Sequence, residues 1–199
     1  MKNKDTKMIK YYKNVKQLFE YKKEKIEKGL DKYYEIMEML KQTDIAVNLE
    51  FQKKYRYFYK VYRRTNQFCS DYFKYFEEIK NNINIDFETI LRTISSFRKN
   101  NELEMSFSSK ILHSINPDLP IWDSIVTKEH FGILAPKKCG KSDRIIEASK
   151  IYYYYKDEFY KYMNSYEGNE IITCFNDYFP NNEISNVKKI DFVLWQDRK

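Results

Sequence analysis

The chain has 199 residues, 42% of them hydrophobic, with 19 Tyr and 14 Phe, so one aromatic-rich core is within reach. No apolar run approaches the roughly 20 residues that span a bilayer, and the charged start lacks an apolar signal core, which leads us to expect a cytoplasmic protein. The net charge is +7, of which the first 30 residues carry +6, ten Lys standing against Asp5, Glu20, Glu24 and Glu27. Such a balance suits an acidic partner, most often nucleic acid. A chain rich in Lys, Asn, Ile and Tyr also arises from an AT-rich genome without selection for binding, and that alternative stays open.

Only 4 Gly and 4 Pro are present, too few for a sheet with tight hairpins, so the chain is expected to be all-α. Residues 7–41 read as one long helix, with Val15, Leu18, Phe19, Ile26, Leu30, Tyr33 and Met37 at helical spacing. Residues 42–48 form a break in which Thr43 or Asp44 can cap the next helix. Residues 49–64 place Phe51, Tyr55, Phe58, Tyr59 and Tyr62 on one face and Lys53, Arg56, Lys60, Arg63 and Arg64 on the other. The rings read as core, and the basic face is either solvated or laid along phosphates. Because a buried Tyr needs a partner, the expectation is rings inside and hydroxyls at the rim.

Further helices are expected over 68–80, over 87–99 with Asp86 as cap, over 104–115, and over 124–131. "NPDLP", residues 116–120, must turn, since Pro117 and Pro120 both interrupt a helix. A basic loop over 135–142 precedes helices over 143–163, 168–178 and 183–197. The organisation expected is a basic N-terminal helical extension, 1–44, followed by an all-α domain, 45–199.

Few motifs carry chemistry. Gly140, Lys141 and Ser142 match the end of a phosphate-binding loop, but Ala135 replaces its first glycine and no strand is expected before it. The loop reads as basic surface, with Lys137, Lys138 and Lys141 able to hold phosphates. Cys69, Cys139 and Cys174 form no C-x-x-C pair, and His113 and His130 lie 17 positions apart, so neither a metal site nor any cofactor is expected.

The distinctive stretch is "SFSSKILHSINPDLPIWDSIV", residues 106–126. Asp123 or Ser124 is placed to cap the helix over "SIVTKEHF". Lys110 lies 13 positions earlier, on the other side of the turn. The two read either as a salt bridge or cap at a corner, or as an amine nucleophile and its carboxylate partner. Trp122 is either a core anchor or a platform on which a base stacks.

At these residues the chain resembles a set of uncharacterised bacterial proteins of similar length. "FQKKYRYFY" (51–59), the 106–126 stretch and "KKIDFVLWQ" (188–196) carry the likeness, which names no activity. More distantly, a Lys-bearing helix followed by a Pro-apolar-x-Asp helix entry resembles the helix-hairpin-helix DNA glycosylases, including the 8-oxoguanine group. That resemblance implies a DNA-binding, base-excising enzyme with Lys110 attacking the sugar C1′ and Asp123 stabilising the positive charge. The glycine-rich hairpin that grips a phosphate in those enzymes is replaced here by Met105-Ser106-Phe107-Ser108-Ser109. The alternative is a non-catalytic interaction or host-defence accessory protein, whose N-terminal helix docks a protein partner or a second copy.

Overall fold

A computed structural model describes residues 8–62, 64–98, 102–136 and 141–198, the side chains of 141–143 excepted. The described chain is all-helical: α1 (Val15–Gln42), α2 (Leu49–Phe58), α3 (Asn66–Ile79), α4 (Phe87–Ser96), α5 (Met105–Ile115), α6 (Lys141–Met163), α7 (Tyr166–Tyr178) and α8 (Asn186–Gln196). A π-helical turn, Val126–His130, sits between α5 and α6.

Local chemistry sets most helix starts. Asn14, Asn48, Thr65, Asp86, Ser165 and Ser185 each accept a hydrogen bond from a backbone N–H in the first turn, satisfying one of its orphan donors. The cap of α2 is thus Asn48, not Thr43 or Asp44; Thr43 closes α1, its N–H bonding Met39 O at 3.0 Å.

The expected helices over 7–41 and 49–64 fall well short of their apolar patterns. α1 starts at Val15 because residues 8–11 are held as a strap: Glu167 accepts from Met8 N (2.6 Å), and Asp197 accepts from Lys10 N (2.6 Å) and Tyr11 N (2.9 Å). His130 Nδ1 donates to Met8 O at 2.9 Å. α2 stops at Phe58 in a Schellman turn, with Val61 N reaching back to Arg56 O at 3.0 Å. Lys60 takes the left-handed position usually given to glycine, at φ 56°. Tyr62 therefore leaves the aromatic face and is exposed.

α1 packs on α2, α7 and α8, α4 bridges α5 and α6, and α6 continues onto α7 and α8. Every helix contributes to one cluster of buried side chains, so the described chain is a single domain. Whether the N-terminal helix packs on the domain is open in the sequence; in the structure Val15, Leu18, Phe19, Ile26, Leu30 and Tyr33 bury one face of α1 in that cluster. Among the described residues no helix is long and apolar enough to cross a membrane.

Four tyrosines depart from the expectation of hydroxyls at the rim. Tyr55, Tyr72, Tyr152 and Tyr155 are fully buried, hydroxyls included. They find partners inside: Tyr72 donates to Phe107 O (3.1 Å) and shares a 3.3 Å contact with Tyr55, while Tyr152 and Tyr155 donate to the turn after α5.

Candidate functional site

The 116–121 turn is built on its carbonyls. Five successive ones, Pro117 to Ile121, each accept from a side chain: Ser185 Oγ (2.7 Å), Tyr160 Oη (2.8 Å), His113 Nδ1 (2.7 Å), Tyr152 Oη (2.9 Å) and Tyr155 Oη (3.1 Å). A carbonyl only accepts, so His113 carries its proton on Nδ1. Burial lowers the His113 pKa to about 3, which keeps the ring neutral. On the α5 side, Trp122 N donates to Ser109 Oγ at 2.9 Å, tying the turn to the helix that carries Lys110.

Lys110 is 6% exposed and its Nζ donates to Ser106 Oγ, one turn back, at 2.9 Å. Burial lowers its pKa from 10.5 to about 8, against the opposing pull of Asp123 and Asp191. Asp123 is half-buried and caps the following turn, Oδ1 accepting from Ile125 N (2.9 Å) and Val126 N (3.3 Å). Among the described residues the two form no ion pair with each other, yet both line one cavity of about 370 Å³, a volume within the range of small-molecule sites. Of the two structural roles expected for this corner, the Asp123 cap is present and a Lys110–Asp123 salt bridge is not among the described residues.

A further wall of the cavity comes from α8. Lys188, 2% exposed, pairs with Asp191 at 2.7 Å, and its Nζ lies 4.8 to 5.4 Å from the ring centroids of Tyr33, Phe58, Tyr59 and Phe192. Burial and the Asp191 charge push the Tyr33 hydroxyl pKa up, so it stays protonated. Sequence reading missed Lys188 and Asp191 as site residues, although both stand in the "KKIDFVLWQ" ending. The available signal was a Lys and an Asp three apart, leading into the apolar run Phe192–Trp195. The mouth is basic, with Lys25, Lys28 and Lys32 from α1, Lys60 after α2 and Arg198 after α8.

Comparison with protein-family models, curated proteins and solved structures finds no match for this chain. Chemistry and geometry alone therefore carry the functional reading.

The other expected site residues scatter. Lys60 reaches the cavity mouth. Lys53 is exposed on α2, and Arg56 turns onto Val61 O at 3.4 Å. Arg64 is not a free phosphate contact: it pairs with buried Glu104 at 2.9 Å, and its guanidinium carbon lies 4.6 Å from the Phe107 ring centroid. Trp122 is core, not a stacking platform; it is 4% exposed and meets Tyr155 edge-on at 5.5 Å. The indole that lines the cavity is Trp195. Arg63, Lys137 and Lys138 lie outside the described residues, as does the side chain of Lys141, which opens α6. No strand occurs among the described residues, so the Gly140 loop lacks the setting a nucleotide-binding loop needs. No group of three metal-ligating side chains occurs among them either.

Gly29 lets α1 lie close against this wall, since a Cβ there would sit 2.9 Å from Phe192 Cε1. The Phe192 ring is hemmed in by Tyr33, Phe58 and Phe175. Gly29→Ala therefore loses its helix-propensity gain of about 1 kcal/mol to the clash and destabilises the fold by about 1 kcal/mol net. Urea unfolding checks this; a stabilised variant would mean that the ring swings into the cavity.

Proposed function

We propose that this chain binds DNA and holds one extruded nucleotide in the cavity, with Lys110 as an amine nucleophile toward the sugar C1′ and Asp123 stabilising the positive charge that develops there. One observation carries the reading: a buried, pKa-lowered lysine and a carboxylate line the same basic-mouthed cavity. The neutral amine forms a bond to C1′ as the bond to the base breaks. The base leaves with the electron pair and takes up a proton, and the amine loses one. Ring opening of the sugar then gives a Schiff base, which borohydride reduces to a stable amine.

The test is borohydride trapping on lesion-bearing DNA. The expected result is a covalent adduct with the native chain, none with Lys110→Ala, and one slower by about a hundredfold or more with Asp123→Asn. Absence of an adduct on every lesion overturns the chemistry.

A second reading rests on the Asp123 cap, which gives that carboxylate a structural task of its own. In it the chain is an interaction protein and the Lys110–Asp123 corner is scaffold. Unimpaired partner binding by Lys110→Ala, with no adduct, supports it.

A further inference from the structure

The mouth of the cavity differs in kind from its walls. Lys25, Lys28 and Lys32 follow one another at i, i+3 and i+7, so they share one edge of α1 over about 10 Å. All three are exposed. Lys28 meets Glu24 only at 3.9 Å between two solvent-exposed side chains, a contact too weak to hold it from another anion.

Aromatic rings are interleaved with these charges. Tyr57 is 53% exposed, with Lys32 Nζ 5.0 Å and Lys60 Nζ 4.5 Å from its ring centroid. Trp195, half-buried, carries the Arg198 guanidinium carbon 3.7 Å from its ring centroid. A guanidinium stacked on an indole presents a second flat face outward, on which another flat group can stack. Lys60 sits in a left-handed backbone position that a glycine would occupy without strain. What the non-glycine residue adds there is an ammonium at the cavity mouth, beside Tyr57.

We infer that this mouth binds an unpaired DNA strand, whose phosphates lie along Lys25, Lys28 and Lys32 and whose bases stack on Tyr57 and on the Trp195–Arg198 pair. The inference deepens the reading above and rests on it. Cationic side chains tracking a backbone, alternating with rings that take bases, is the arrangement single strands use. A duplex keeps its base faces stacked on one another and leaves such rings without a partner. The exposed ammoniums over Tyr57 move onto phosphates when a base takes the ring face, since a cation–ring contact in water is weak. The strand then enters the cavity with one nucleotide already unpaired.

The experiment is fluorescence anisotropy of the full chain with a labelled strand of about 15 nucleotides and with the duplex of the same sequence, at several salt concentrations. The single strand is expected to bind at least about tenfold tighter. Tyr57→Ala is expected to weaken it about tenfold without shifting urea unfolding, because the side chain is exposed. Lys25→Gln with Lys28→Gln is expected to flatten the dependence of affinity on salt. Equal or tighter binding of the duplex, or a neutral Tyr57→Ala, overturns the inference and leaves the DNA reading standing. Binding of neither at low salt overturns both.

Discussion

Asp191→Ala is expected to destabilise the fold by about 3–5 kcal/mol, because it strands the Lys188 ammonium inside an aromatic wall. Lys188 is 2% exposed and Asp191 8% exposed, and their 2.7 Å contact is the only ion pair the described residues offer Lys188. The four rings around the ammonium give partial compensation at about 0.5–2 kcal/mol for a good cation–ring contact, less than the cost of an unpaired buried charge. The double variant Lys188→Met, Asp191→Leu removes charge and countercharge together and recovers most of the loss. Urea midpoints of the single and double variants check this. If Asp191→Ala alone unfolds at the native midpoint, the pair is not the constraint on this wall.

Lys110→Met is expected to trade activity for stability. The lysine titrates near 10.5 when unfolded and near 8 when folded, so burying it as a cation costs roughly 3 kcal/mol below pH 8. Between pH 8 and 10.5 the unfolded chain binds the extra proton, so the native protein gains stability as pH rises through that window. Above 10.5 the amine is neutral in both states and the penalty is gone. The variant lacks this rise; it is the more stable protein at pH 7, by up to about 3 kcal/mol, and matches the native chain near pH 11. Denaturant unfolding at pH 7 and at pH 11 measures both ends. Under the proposed chemistry, trapping by the native chain is expected to rise toward pH 8 and level off above it, with none from Lys110→Met.

How much of the fold was legible in the sequence depends on how local each determinant is. α4 was readable because Asp86 caps it and Phe87, Ile90, Leu91 and Ile94 form its buried stripe, all within one short segment. The 116–121 turn was readable from its two prolines. The start of α1 was not, because Glu167 and Asp197, which hold the strap before it, are more than 150 positions away. The end of α2 was not, because Lys60 stands where a glycine would have announced the stop. The site divides in the same way. Lys110 and Asp123 flank one corner, and a short motif brought them forward as a pair. Lys188 and Asp191 gain their meaning from rings on α1 and α2, which only the packed fold supplies. Lys25, Lys28 and Lys32 were hidden in a lysine-rich segment of the kind an AT-rich genome also produces, and Tyr57 lay off the aromatic stripe of its helix.

The carbonyl ladder from Pro117 to Ile121 has a kinetic meaning for whatever enters the cavity. Its five donors come from α5, α6 and the cap of α8, so the segment carrying Asp123 cannot shift without disturbing three helices. The spacing between amine and carboxylate is settled when the protein folds, and the entropy of ordering them is spent then, before any ligand arrives. Encounter with this wall is a docking onto finished ground, and any slow, ligand-driven rearrangement belongs to the lysines and rings at the mouth.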